Sequence, residues 1–213
     1  MPSVPPLSVA IVHAEPLIVA GVMFALRHEP GVVVRHPAED DDLVPSDLVI
    51  ADHATALRLT GCGGSAQHLR RSLRVMVVAS QAREAAVRAA VEAGVRGYVL
   101  ASCHTDEVVR CIHALAGGSR YLSAAVAECM ADSFQREPLT VREIDVLRLL
   151  MHGGCNKEIA RSLDIAVGTV KAHLKAIMDK LDARSRTHAV TIAASRGLVP
   201  GFAGGATRGG ATP

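Results

Sequence analysis

Along the first 118 residues, short apolar runs alternate with longer stretches in which apolar positions recur every three or four residues. The runs "LSVAIV" (7–12), "GVVVRH" (31–36), "DLVIA" (47–51), "RVMVVA" (74–79) and "RGYVL" (96–100) are rich in β-branched residues and read as five strands. Between and after them, "PLIVAGVMFALRHE" (16–29), "GSAQHLRRSL" (64–73), "REAAVRAAVEAG" (83–94) and "TDEVVRCIHALAGG" (105–118) predict helices. The last carries Val108, Val109, Ile112, Leu115 and Ala116 on one face, with Thr105 placed to cap its start and glycines to stop it. Strands that are apolar throughout, alternating with helices, imply a parallel sheet covered on both faces.

From about residue 138 the strand period disappears and every pattern is helical. "LTVREIDVLRLLMHGG" opens on a capping box, Thr140 with Glu143, has a staple between Leu139 and Ile144, and closes on Gly153 and Gly154. Asn156 is the expected cap of "KEIARSL", and Ser185 that of "RTHAVTIAASRG". In "GTVKAHLKAIMDKL" (168–181), Val170, Leu174, Ile177 and Leu181 fall on one buried stripe. Lys171 and Lys175 then share an exposed face with Ala172. Such lysines suit either a solvated surface or an anionic partner. The organisation expected from these periods is one α/β domain over 1–118, a partly helical linker over 119–137, an all-helical domain over 138–200 and a disordered, glycine-rich tail over 201–213.

Composition narrows the function. With 213 residues, 49% hydrophobic, 21% charged and a net charge of +2, the chain is globular, with length for two cores. The longest apolar run, "PLIVAGVMFAL" (16–26), is about half of the roughly 20 residues that a membrane span needs. Nor does "MPSVPPLS" resemble a secretion signal, so a cytoplasmic protein without a membrane partner is expected. Residues 1–120 hold 11 Lys or Arg against 12 Asp or Glu, whereas 138–200 hold 10 against 6. The positive excess lies in the helical half, as an anionic partner such as DNA favours.

Five cysteines, at 62, 103, 111, 129 and 155, form no C-x-x-C pair and signal neither a disulfide framework nor zinc. Cys103, His104, Cys111 and His113 lie close in sequence without a recognised ligand spacing, so no metal is expected. Aromatics are 2% with no Trp, which argues against a stacking platform for single strands. The glycine string "GCGGS" (61–65) does not match a dinucleotide fingerprint, so neither a cofactor nor an enzyme is expected.

The order of "LT-x-RE", "NKEIA", "TVK-x-H" and "KL-x-x-RSR" over about 60 residues resembles the C-terminal helix-turn-helix domain of LuxR/FixJ-type regulators. In that geometry one helix lies in the major groove while its predecessor crosses the backbone. The resemblance implies that Lys171, Ala172 and Lys175 meet base edges, where lysine donates to guanine acceptors and a small residue permits close approach. It implies phosphate or positioning contacts for Asn156, Lys157, Thr169 and Arg184, and dimerisation through the last helix, with Val190 and Ala193 as candidates. His173, within "TVK-x-H", is read at least as well as a packing or solvent residue as it is as a functional one. The family usually has Ser where this chain has Ala166, so a helix cap is missing unless Asp164 caps an earlier start.

The α/β half, placed ahead of that domain, resembles the receiver of a response regulator, a doubly wound flavodoxin-like fold. Asp52, closing "DLVIAD", matches the family's phosphoacceptor. Several partners do not match. Where the family has an acidic pair after the first strand this chain has His13 and Ala14; the switch hydroxyl aligns with Ala79, beside Ser80, and the lysine after strand five with Ala101, while Tyr98 keeps the aromatic place. Only "PAEDDDLVPS" separates strands two and three, short for a helix and its loops. Asp52 is then either a surviving acceptor or a strand-end carboxylate without its partners, with His13 near enough to pair with it. The expectation is a sequence-specific transcription regulator, homodimeric on an inverted repeat of double-stranded DNA. Its atypical receiver answers a small molecule or protein rather than phosphorylation. The alternative is a conventional two-component response regulator phosphorylated on Asp52.

Overall fold

The computed structural model describes residues 5–35, 46–61 and 73–199, and its elements fall into two compact units. The first, apart from residues 83–85, runs to Met130, and the second continues from Ala131. All but the last residue of the predicted helix over 64–73, most of the segment between strands two and three, and the tail over 201–213 lie outside the described residues.

In the first unit, strands β1 (Leu7–Val12), β2 (Val32–Arg35), β3 (Leu48–Ala51), β4 (Arg74–Ala79), β5 (Gly97–Leu100) and β6 (Tyr121–Leu122) form one parallel sheet in the order β2-β1-β3-β4-β5-β6. Side chains alternate across it. Val9, Ile11, Leu48, Ile50, Met76, Val78 and Val99 pack with helices α1 (Pro16–Leu26) and α4 (Thr105–Ala116). Ala10, Val49, Ala51, Val75, Val77 and Tyr98 pack on the other face with α2 (His53–Thr60), α3 (Glu84–Glu92) and the start of α5 (Ala124–Phe134). Burial of both faces is why these strands read as unbroken apolar runs. The architecture is the flavodoxin-like doubly wound sheet expected from the sequence.

Three expectations are corrected here. The sheet has a sixth strand beyond residue 118: Tyr121 N–H donates to the Arg96 carbonyl and Ser123 N–H to that of Tyr98, and Val126 of α5 is fully buried in the second core. A two-residue strand is too short to show alternation, so the segment read as linker. Helix α2 was absent from the periodic pattern because its eight residues bury only Thr55, Ala56 and Leu59. Finally, α4 is preceded by His104 as N-cap, with Thr105 inside the first turn and no side-chain cap bond. None of the described helices is long and apolar enough to cross a membrane.

The second unit is helical: α6 (Val141–Met151), α7 (Asn156–Leu163), α8 (Val167–Leu181) and α9 (Arg186–Arg196) enclose a core that includes Val146, Leu147, Leu150, Ile159, Val170, Ile177, Leu181 and Ala189. The capping box is formed as read: Glu143 N–H donates to Thr140 Oγ1 at 3.3 Å and Thr140 N–H to Glu143 Oε2 at 2.7 Å. The same carboxylate accepts from Lys180 Nζ at 3.0 Å, tying the end of α8 to the start of α6. Burial alone would raise the Glu143 carboxyl; the Thr140 N–H and the Lys180 ammonium outweigh it and hold the group below its ordinary range. Ser185 caps α9 through His188 N–H.

Asn156, expected as the cap of α7, is its first helical residue; Cys155 is the N-cap, and Glu158 reaches back to accept Cys155 N–H at 2.6 Å. Asp164 does not cap α8. It ends α7 in the left-handed conformation (φ 52°), which an Asp tolerates, and α8 starts after Ala166 with no side-chain cap.

Candidate nucleic-acid interface and receiver pocket

Helix α8 is held by one stripe. Val170, Ile177 and Leu181 are buried and Leu174 partly so, which turns Gly168, Lys171, Ala172, Lys175 and Asp179 outward. Thr169, in the first turn, is also exposed, and His173 is half-buried. A Cβ added at Gly168 would meet nothing within 4 Å, so the start of this face is open. On α7, Lys157 is exposed and Asn156 partly so; Arg184 is exposed in the turn between α8 and α9, where its N–H donates to His188 Nδ1 at 3.2 Å. Lys157, Lys171 and Lys175 form no ion pair with another described residue. The arrangement is a cationic helix face, sterically open at its start, with accessible polar side chains on the neighbouring helix α7.

Two residues were not singled out in the sequence. Lys180 shares a helix with Lys171 and Lys175, yet it is turned inward: its ammonium meets Glu143 and Glu137 at 3.0 Å each and the Pro138 carbonyl at 3.2 Å. Its position next to Leu181, away from the exposed stripe, is the only sequence signal of that difference. Arg186, inside the quoted "RSR", donates from Nη1 to Asn156 Oδ1 at 3.3 Å and from Nη2 to the Gly154 carbonyl. The dimerisation candidates need one correction. Ala193 is fully buried in its own unit's core and Val190 packs against that core, so the exposed positions of α9 are Arg186, Thr187, His188, Thr191 and Ser195 instead.

In the first unit, Asp52 follows β3 where β1 and β3 adjoin, the point at which strand order reverses and doubly wound sheets hold ligands. Its carboxylate is occupied. Oδ1 accepts Thr55 N–H at 2.9 Å, while Oδ2 accepts the Thr55 hydroxyl at 3.1 Å and Ala14 N–H at 3.2 Å. Asp52 is therefore the N-cap of α2 and the tie between that helix and the loop after β1. Burial pushes the carboxyl upward, but the two bonds from Thr55, the one from Ala14 and the nearby His13 together leave it below its ordinary value.

His13 does not bond Asp52. Its Nδ1 accepts Glu15 N–H at 3.0 Å, which assigns the proton to Nε2 and directs it to the Val78 carbonyl at 3.1 Å. Ser80 Oγ donates to Glu15 Oε1 at 3.4 Å. Ala79 ends β4, and Ala101 follows β5, so neither supplies a hydroxyl or an ammonium.

Residues 137–193 match the family model of the bacterial regulatory proteins, luxR family. The nitrate/nitrite response regulator protein NarP of Escherichia coli is 31% identical over 211 residues, covering 90% of this chain and 96% of that protein. The transcriptional regulatory protein DesR of Bacillus subtilis is 32% identical over 177 residues, covering 83% and 79%. Among solved structures, RcsB from Salmonella enterica serovar Typhimurium, bound to a promoter in the presence of a phosphomimetic, superposes with a TM-score of 0.62 at 22% identity. It covers 89% of this chain and 98% of its own, a likeness of fold.

Proposed function

This chain belongs to the LuxR-type response regulators, a family of transcription regulators rather than enzymes, and on that premise we propose that it binds double-stranded DNA sequence-specifically as a homodimer and acts without phosphorylation of Asp52. The observation that carries the DNA reading is the open outer face of α8, where the Lys171 and Lys175 ammonium groups, unpaired among the described residues, share the exposed face with the Ala172 methyl. Lys171 and Lys175 donate to base acceptors in the major groove, and Ala172 lets the backbone approach. Asn156, Lys157, Thr169 and Arg184 contact phosphates and set the register. A two-fold dimer places two such helices on an inverted repeat. Selection of bound fragments from a random duplex pool tests this: an enriched inverted repeat is expected, and recovery of unenriched sequence would refute sequence-specific recognition.

The phosphorylation-independent reading rests on the occupied Asp52 carboxylate and on what surrounds it. Acceptance of a phosphoryl group in this family uses a Mg²⁺ held beside the aspartate. The residues present do not fit that ion: the neighbouring positions hold the His13 imidazole, whose Nδ1 lone pair is taken, and the Ala14 methyl. With no lysine at Ala101, the charge on a phosphoryl group would also lack a counter-cation there. The receiver-like unit then responds to a small molecule or a protein. Conventional phosphorylation is the second reading, favoured by the place of Asp52 at the sheet's switch point. Incubation with a small phosphodonor and Mg²⁺ separates the two: an unmodified chain is expected, and stoichiometric acyl phosphate on Asp52 would establish the conventional mechanism.

A further inference from the structure

The guanidinium of Arg186 reaches from the first residue of α9 to the turn before α7, where it donates to two acceptors two residues apart. Nη2 satisfies the Gly154 carbonyl, and Nη1 meets Asn156 Oδ1 at 3.3 Å. Gly153 turns the chain there with φ +86°, and Gly154 N–H returns to the Leu149 carbonyl at 3.1 Å. One planar fork thus fastens the α6–α7 turn and the first side chain of α7 together.

Its chemical consequence concerns the polarity of Asn156. A carboxamide has one acceptor end and one donor end. Because Arg186 has no acceptor, it must take the oxygen, which leaves the NH₂ end of Asn156 without a partner among the described residues. A phosphate accepts hydrogen bonds and never donates at neutral pH, so a free donor is the end it requires. We propose that Arg186 is a positioning residue for DNA binding: it orients the Asn156 amide so that its NH₂ faces a phosphate, and it holds the start of α7 in place for that contact. This inference rests on the DNA-binding reading above. Arg186 in this role contributes through Asn156 rather than by meeting a phosphate itself.

The test measures affinity of the full chain for a random-sequence duplex as a function of salt, with the thermal melt of each variant recorded alongside. Arg186→Ala is expected to bind about tenfold more weakly, the cost of one charge-assisted hydrogen bond, with the slope of log affinity against log salt unchanged. In an Asn156→Ala background, Arg186→Ala should have little further effect. Asn156→Asp keeps a partner for the guanidinium but turns an oxygen toward the phosphate, so it should bind more weakly than Asn156→Ala while melting no lower. A slope smaller by about one in Arg186→Ala would mean that Arg186 contacts a phosphate directly, and would overturn the proposal, as would full additivity of the two losses. If Arg186→Ala does not fold, the Asp variant decides: binding equal to or tighter than that of Asn156→Ala overturns it. Failure of the unmodified chain to bind any duplex at low salt would refute the DNA-binding reading instead, and this inference with it.

Discussion

Asp52 and Lys175 are both charged side chains placed where their units could meet a partner, and their surroundings are opposite. Around Asp52 the protein itself supplies three donors, so the carboxylate is satisfied internally and works as a helix cap. Around Lys171 and Lys175 no described residue supplies an acceptor, and both ammonium groups stay in water at the surface. A charge retained for an external partner is inexpensive when it is exposed, since water solvates it. A buried or half-buried charge has to be paired within the fold. The same contrast recurs on one helix, where Lys175 faces outward and Lys180, five residues later, is locked between two carboxylates.

The largest expected effect lies on the free side of this contrast. Lys175→Ala should cost about 1–3 kcal/mol of discrimination between a selected site and random duplex, whereas Lys157→Ala should weaken both alike and lower the salt slope by about one. Equal losses at both duplexes for Lys175→Ala would remove it from the base-reading set.

On the paired side, Glu143→Ala removes the acceptor of Thr140 N–H and the more buried of the two carboxylates that hold Lys180, at a cost of about 1–3 kcal/mol in chemical denaturation. The Glu143 carboxyl lies below its ordinary value of 4.5 in the folded chain, so its contribution is complete above that value. It is lost as pH falls further, through the folded value. The denaturation midpoint should therefore drop on acidification, and less steeply in Glu143→Gln.

Asp52→Ala deletes the cap of α2 and the tie to the loop after β1, and should destabilise the first unit by about 1 kcal/mol. Affinity for DNA should be unchanged; a large change in affinity would bring Asp52 into regulation and weaken the contrast. Smallest is Ala166→Ser, which adds the missing side-chain acceptor at the start of α8, where the backbone already has the extended N-cap conformation (φ -67°, ψ 146°). A rise of about 0.5–1 kcal/mol in stability is expected, read as an upward shift in melting temperature.

Much of the molecule was readable as a string of residues. Five strands and the Thr140–Glu143 capping box are local patterns, and local patterns survive folding when the core is buried on both faces of the sheet. Strand β6 and helix α2 escaped, the first because two residues carry no period and the second because a single cap and three buried positions define it. The cap assignments that moved by one residue, from Asn156 to Cys155 and from Thr105 to His104, did so because a side chain three residues along or a backbone bond can end a turn as well as a favoured cap can.

Chemical type and spacing within the chain alone determined which helix is cationic, which stripe is buried and that Asp52 closes the third strand. Which of these charges are free was decided only by the tertiary structure. Lys180 finds Glu143 from 37 residues away, Arg186 finds Asn156 from 30, and Asp52 finds Ala14 N–H from 38. Pairing of this kind depends on where separate elements pack, and no periodicity along the chain carries that information.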